Sequence, residues 1–447
     1  MDRRRLRRDA LQIWNAGVDA VRSERLVAEA IRVDGSAIRI GDERIELAAI
    51  GRIVVVGGGK AGAGMTDAVE HVLGPELMEA KDVAGWVNVP ADCVRELKRI
   101  KLHAARPAGV NEPRPEGAAG TLEIIHLVES LGADDLCLCL ISGGGSALLP
   151  APVEAISLDD MLALTRHLSA AGANIEQLNT VRKQLSRIKG GGLMRACRAG
   201  RLVSLIISDV LGDPLDVIAS GPTVEDSSTP EGALAVLEQF DARAAGISDA
   251  VFDYLKSKQD TTPQPPSCKV TNLIIGNNAT AVDAAGREAE RLGYSPRTES
   301  ATECEGATED IGRDLADQAI KMRDGPGPDC LITGGEPVVT LADESIRGLG
   351  GRSQQLVLAA LQRLSGDARG IALLSGGTDG EDGPTDAAGA LLDAGVVDAA
   401  QERALDPADY LARNDAYHFF EPLDALIMTG PTNTNVCDLR VVVVDRE

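Results

Sequence analysis

The chain has 447 residues, 44% of them hydrophobic, a length that exceeds one ordinary core and implies two domains or three. Its 68 Asp and Glu outweigh 45 Lys and Arg, for a net charge of −23, which argues against nucleic acid or an anionic membrane as partner because either would want a basic face. Eight Cys without metal or disulfide spacing, five scattered His and no apolar run long enough to span a bilayer point to a reducing, cytoplasmic setting.

The Arg-rich start has the charge of a transit peptide, but Asp2, Asp9 and Asp19 interrupt it. Leu6, Ala10, Ile13, Trp14, Gly17 and Val21 share one helical face, which predicts a surface helix packed on a domain. A hairpin is expected over 38–47 around Gly41-Asp42, then a strand at 53–56, a helix over 63–73 and a strand at 83–89. Residues 103–118, rich in Pro and Gly, read as a loop. A helix over 119–131 leads to a strand at 136–141, followed by helices at 157–170, capped by Ser157, and 174–187, with Gly190 as a C-terminal cap. A strand at 202–207 and a helix at 230–239 precede Thr261-Thr-Pro-Gln-Pro-Pro266, the clearest linker. A second strand and helix series starts at Val270, with helices near 279–292, 305–323, 352–364 and 396–403 and a last strand at 439–443. These elements place one domain at 1–260 and another at 267–429, with 430–447 as an optional completion of the first, since chain ends often lie close together.

One theme recurs along the chain. A short apolar run ends in a glycine-rich or small polar loop, then a helix. It appears at Ile53-Val-Val-Val-Gly-Gly-Gly-Lys60, Leu138-Cys-Leu-Ile-Ser-Gly-Gly-Gly-Ser146 and Leu205-Ile-Ile-Ser-Asp209. It returns at Leu273-Ile-Ile-Gly-Asn-Asn278, Leu331-Ile-Thr-Gly-Gly-Glu336 and Leu373-Leu-Ser-Gly-Gly-Thr-Asp379. Apolar strands alternating with helices imply α/β domains with mainly parallel sheets and loops at the strands' carboxyl ends. Glycine there lets backbone N–H groups approach an anion, and several such loops suit a nucleoside triphosphate.

The candidate site residues sit in these loops. Lys is scarce in this chain, so Lys60, directly after Gly58 and Gly59, stands out. Gly57-Gly-Gly-Lys-Ala-Gly62 matches the dinucleotide pattern after a strand, but that fingerprint wants an acidic residue closing the next strand; Asp82 precedes it and Asp92 lies late. Ser142, Gly143, Gly144, Gly145 and Ser146 form a nest of N–H donors flanked by hydroxyls; the loop is neither a Walker A motif nor a nucleophile elbow. Arg182, Lys183, Arg187 and Lys189 make a basic island in an acidic chain, fit for phosphate or carboxylate or simply for a solvated helix face. Asp209, with Asp213 four residues on, follows an apolar strand, where a base or a metal ligand belongs. Asp379, Asp382 and Asp386 lack calcium-loop spacing and suit Mg²⁺, a substrate hydroxyl or plain turns. Arg352 opens a helix after glycines and has the charge to neutralise a transferring phosphoryl group. Asn277, Glu336 and Thr378 close further strand-to-loop turns and complete the expected binding set.

Taken in order, the motifs resemble the glycerate 2-kinases that carry a C-terminal MOFRL domain. The resemblance covers nearly the whole chain. It rests on Gly59-Lys60-Ala61, Leu140-Ile-Ser-Gly-Gly-Gly-Ser-Ala147, Asn179-Thr-Val-Arg-Lys183 with Lys189-Gly-Gly191, and Ser208-Asp-Val-Leu-Gly-Asp213. Ser220-Gly-Pro-Thr223, Gly351-Arg-Ser353, Gly376-Gly-Thr-Asp-Gly380 and Thr429-Gly-Pro-Thr432 add to it. The resemblance implies ATP- and Mg²⁺-dependent phosphorylation of D-glycerate at its 2-hydroxyl. It implies a Rossmann-like three-layer α/β/α domain, a distinct C-terminal α/β MOFRL domain and a cleft between them, with no nucleic acid or membrane partner and a monomeric or homodimeric state. The family's proposed active-site lysine and arginine fall on Lys60 and Arg352; Asp209 is the candidate proton acceptor, and Asp209, Asp213 and Asp379 are the candidate Mg²⁺ ligands. The chain departs from the family at His103-Ala-Ala-Arg-Pro107 and at Gln184, where many members carry a His-Pro-x-Pro-Asp loop and a His.

Two other readings stand beside this one. The 57–62 loop gives partial support to an NAD(P)H-dependent hydroxypyruvate reductase. A non-catalytic sensor of phosphorylated metabolites would use the same anion loops, but would leave the aspartates on the rim without purpose.

Overall fold

The computed structural model describes residues 3–259, 265–364 and 366–446. The chain divides into two compact units, one spanning Ser23–Ile275 and the other joining the residues up to Arg22 with those from Gly276 onward.

The Ser23–Ile275 unit is built on a sheet with six strands among the described residues. In chain order these are Ile53–Gly58, Ala84–Pro90, Ile100–Arg106, Leu136–Ile141, Arg201–Ile207 and Lys269–Gly276. Across the sheet they run third, second, first, fourth, fifth, sixth, and the pairings among the first five are parallel. This is the doubly wound dinucleotide-fold order, which reverses between the first and fourth strands and opens a crevice at their carboxyl ends. Ile53–Val56 and Leu136–Ile141 are buried on both faces, as the unbroken apolar runs of central parallel strands require.

Ile100–Arg106 was expected to be partly loop and is a strand. It lies at the sheet edge, where Ile100 and Leu102 turn inward and Lys101 outward, and this weak alternation was overshadowed by the prolines that follow. The expected hairpin forms from Ala37–Ile40 and Glu43–Glu46, and Ile31–Asp34 adds a third strand to it. Helix Leu158–Ala170 starts on a Ser157 capping box, as read from sequence. The following helix is Ile175–Gln184, so Gly190 (φ 54°) belongs to a later turn and does not cap it.

The second unit carries a mixed sheet, ordered Pro296–Ser300, Cys330–Gly335, Asp438–Val444, Ile371–Gly377, Gly389–Asp393 and Leu426–Ile427. Helices Arg3–Ala20 and Asn278–Arg291 cover one face, and Thr308–Asp324 and Arg352–Leu364 the other.

The domain limits therefore differ from the expected 1–260 and 267–429. Helix Arg3–Ala20 belongs to the second unit, because its apolar face (Leu6, Ala10, Ile13 and Trp14) packs on Val282, Val441 and Val443. Trp14 Nε1 also donates to Leu439 O at 3.1 Å. The final strand does not complete the first domain. It runs antiparallel between Cys330–Gly335 and Ile371–Gly377, in the middle of the second sheet, where its valine run is buried on both sides. Residues 261–264 of the expected linker lie outside the described residues. Strand Lys269–Gly276, beyond that linker, still belongs to the first sheet, so the boundary falls at its end.

Candidate active site

The first two glycine loops meet at the switch point of the first sheet. Lys60 N–H donates to Gly143 O at 2.8 Å, Ala61 N–H to Ser142 Oγ at 3.0 Å, and Gly59 N–H to Asn88 O at 3.2 Å. The loops approach so closely that a Cβ on Gly59 would lie 2.0 Å from Ser142 Oγ, so only glycine fits. Gly58 ends the strand beneath, and Gly145 packs over Gly58 O and Ala219. A Cβ at Gly144 (φ 78°) would lie 3.5 Å from Lys60 Cγ and 3.2 Å from Arg106 Nη2, which places both side chains against the 142–146 loop.

Ser146 is the hub of this region. Its Oγ lies 2.6 Å from Ser220 Oγ and accepts from Arg182 Nη2 at 3.2 Å. Lys189 Nζ donates to Ser146 O at 2.6 Å and reaches its Oγ at 3.2 Å. Ser220 in turn donates to buried Asn179 Oδ1 at 3.2 Å. Ala219, Ser220 and Gly221 all hold left-handed backbone (φ 50°, 61° and 62°), a strained run for two residues with side chains, and such strain gathers at functional sites. Burial holds the Arg182 guanidinium below its ordinary proton affinity. Burial, and then the Arg182 charge, push the Lys189 amine well down.

Arg106 was missed by the sequence reading. It is buried, donates to Asn111 Oδ1 at 2.7 Å, and is held below its usual range by burial against a partial offset from Asp92. An arginine at the end of a strand beside a Pro-rich turn was the available signal. Gln184, the other departure from the family pattern, donates to Asp226 at 3.1 Å and to Ser228 O and Oγ at 2.9 Å, which anchors a turn. Asp82 stands in a left-handed turn (φ 42°) ahead of strand Ala84–Pro90, away from the strand end where a ribose-binding acid belongs.

Asp209 and Asp213 follow strand Arg201–Ile207 at the same rim, both half-buried, with Asp213 in left-handed backbone (φ 56°). No group of three or more His, Cys, Asp or Glu side chains among the described residues forms a closed metal cage. Mg²⁺ in phosphoryl-transfer sites takes one or two carboxylates and fills its shell with phosphate oxygens and water, so the Asp209 and Asp213 donor set fits it.

In the second unit Arg352 opens helix Arg352–Leu364. Its Nε and Nη2 donate to Asp438 at 2.7 and 3.0 Å, and its Nη1 to Glu336 at 2.7 Å. Burial opposes its charge, but the Asp438 carboxylate outweighs that and holds it above the ordinary arginine range. Asp382 accepts the Ser353 and Gln354 N–H groups at 3.1 and 2.8 Å, capping the same helix. Burial, then nearby Asp438, raise the Asp382 carboxyl to about 7.

The remaining predicted residues hold backbone. Asn277 caps helix Asn278–Arg291 by accepting from Thr280 N–H at 3.0 Å. Buried Thr378 donates to Cys437 O at 2.7 Å and accepts from Val436 N–H at 2.9 Å. Asp379 Oδ1 accepts from Glu381 N–H at 3.2 Å.

Residues 9–256 match the family model described as a domain of unknown function (DUF4147), and residues 329–438 match the MOFRL family. A glycerate kinase from Homo sapiens is 37% identical over 98% of this chain and 93% of its own. A D-glycerate 2-kinase from Thermotoga maritima is 36% identical over 97% of both chains. The crystal structure of a glycerate kinase from Thermotoga maritima matches with a TM-score of 0.84 at 34% identity, over 99% of this chain and 100% of its own.

Proposed function

The chain belongs to the glycerate 2-kinase family, and from that premise we propose that it transfers the γ-phosphoryl group of ATP to the 2-hydroxyl of D-glycerate, giving 2-phosphoglycerate and ADP. The observation that carries this reading is the joining of the Lys60 and Ser142–Ser146 loops at the sheet's switch point, where backbone donors and cations gather.

In the transfer, the acceptor oxygen forms a bond to the γ-phosphorus as the bond to the β-phosphate bridging oxygen breaks. Lys60 and the amides of Gly143 and Gly144 hold phosphate oxygens, supplying fixed positive charge where negative charge builds, while the Gly59 and Gly145 N–H groups, bonded to Asn88 O and Ser142 O, hold the two loops in place. Asp209 accepts the proton of the 2-hydroxyl. Asp213, with Asp209, offers oxygen ligands to Mg²⁺, which when bound neutralises phosphate charge. Arg352 is already matched by two carboxylates, so we assign it to positioning Asp438 and Glu336 and ordering the helix start. Among the described residues no helix is long and apolar enough to cross a membrane, and the eight cysteines are free, which supports work in a reducing cytoplasm.

A coupled assay of ADP release with ATP, Mg²⁺ and D-glycerate, followed by phosphorus NMR of the product, tests the reading. A 2-phosphoglycerate signal supports it. A 3-phosphoglycerate signal overturns the acceptor position, and NADH consumption with hydroxypyruvate in place of ADP release overturns the kinase.

A further inference from the structure

The basic island between Arg182 and Lys189 is not uniform. Lys183 is matched by acids: its Nζ lies 3.1 Å from Asp216 and 3.8 Å from Asp226. Its neighbour Arg182 and the 3%-exposed Lys189 are not, for no carboxylate among the described residues lies within ion-pair distance of either. Both cations instead converge on one residue, Ser146. In a chain with 68 acidic side chains, leaving two nearly buried cations without one is a costly arrangement, since burial and mutual repulsion both oppose their charge. An anion placed between them removes both penalties at once.

A narrow, partly open pocket lies beside them. Ser146, Arg182 and Lys189 line it together with Pro113, Pro150 and Met161. Its lining is largely apolar apart from these cations and a few hydroxyls, and among the described residues it contains no acid. Arg352, the other arginine expected to face substrate, is excluded as the counter-charge because Asp438 and Glu336 already satisfy it.

We propose that this pocket binds the carboxylate of the three-carbon hydroxy acid, with Arg182 and Lys189 as its counter-charges and the Ser146 hydroxyl between them. The inference rests on the kinase reading for the identity of the acid. A phosphate oxygen of the nucleotide offers the same oxyanion chemistry, so the test must separate the two sources.

Calorimetric titration of the whole protein with D-glycerate, with and without ADP and Mg²⁺, does so beside parallel titrations with glycerol and with ATP–Mg²⁺. The unsubstituted protein is expected to bind D-glycerate and to ignore neutral glycerol. Arg182→Gln and Lys189→Gln are each expected to weaken D-glycerate by about 10- to 100-fold, the worth of a charged hydrogen bond, while ATP–Mg²⁺ affinity moves less than about threefold. Partial recovery in Arg182→Lys would support a role for charge. Should Lys189→Gln fail to fold, the more exposed Arg182 decides alone. Loss of ATP–Mg²⁺ affinity with D-glycerate binding intact would assign the pocket to phosphate and overturn the proposal. So would a folded Arg182→Gln that binds both ligands normally, or an unsubstituted protein that ignores D-glycerate under both conditions. Binding is read without turnover, so carboxylate-dependent binding that vanishes in the variants while ADP is never released would defeat the kinase reading and leave the pocket assignment standing.

Discussion

Arg352 grips both carboxylate oxygens of Asp438, at 2.7 and 3.0 Å, and turns its remaining arm to Glu336 at 2.7 Å. Asp438 is almost fully buried at the start of the central strand of its sheet, so the pair joins a helix N-terminus to the middle of the second unit. Lysine cannot reproduce the two-pronged contact. Arg352→Lys should therefore destabilise the protein by about 2–4 kcal/mol, because a buried carboxylate is left half-matched. Chemical denaturation read together with Asp438→Asn in a double-mutant cycle checks this, and additive single effects would show that the contact contributes nothing.

The Ser142 hydroxyl accepts the Ala61 N–H at 3.0 Å inside a buried turn. Ser142→Ala leaves that donor unmatched and should cost about 1–3 kcal/mol. It should also loosen the Lys60 loop, raising KM for ATP more than that for D-glycerate. Steady-state kinetics beside urea unfolding will show whether the two effects travel together.

Gly59→Ala tests the same joint by steric means. The added methyl would lie 2.0 Å from Ser142 Oγ and 2.7 Å from Ser142 O, so one loop must move. Turnover is expected to fall at least about 100-fold, as when a positioned charge-stabilising donor is lost. The far-ultraviolet circular dichroism should stay close to that of the parent. An alanine variant with unaltered kcat/KM would mean that loop closure is not needed for transfer.

Lys60→Met should remove about 10²–10³-fold in kcat while leaving the fold intact, because its charge acts on groups that become more negative in the transition state. Lys60→Arg should recover only part, since the planar fork differs from a compact ammonium. Stopped-flow ADP release and a thermal melt on each variant decide the matter.

Asp382 gives the protein a pH signature. Its carboxyl is raised to about 7 in the fold by burial and then by Asp438, above its unfolded value of 3.8. The native state therefore holds the proton more tightly than the unfolded chain. The stabilisation is complete below the unfolded value, declines between the two, and is lost as pH rises through about 7. Asp382→Asn mimics the protonated side chain, so its melting temperature should depend less on pH between about pH 4 and pH 7 than that of the parent. Parallel slopes for the two proteins would refute the assignment.

Much of the fold was legible in local pattern. Leu136–Ile141 and Arg201–Ile207 announce themselves as apolar runs ending in small residues, and the Ser157 cap marks its helix within a residue. The edge strand Ile100–Arg106 escaped because one solvent-facing side weakens the hydrophobic signal. For the site, the glycine loops and the lone Lys60 were visible because close backbone approach demands particular residues. Arg106 was not, since nothing in its neighbours shows that a buried arginine will reach a loop some 40 residues later.

The sequence by itself determined the strand–loop–helix repetition, the acidic balance, the loops fit to hold anions and the family. These are local properties, set by side-chain periodicity and backbone freedom within a few residues. Tertiary structure alone decided that the N-terminal helix and the last strand join the second unit, because their partners, Val282 and the strands Cys330–Gly335 and Ile371–Gly377, lie far away in the chain. It also decided which cations are matched. Arg352 and Lys183 meet carboxylates, whereas among the described residues the side chains of Arg182 and Lys189 turn to Ser146, because ion pairing depends on distances of a few ångströms that sequence spacing does not encode.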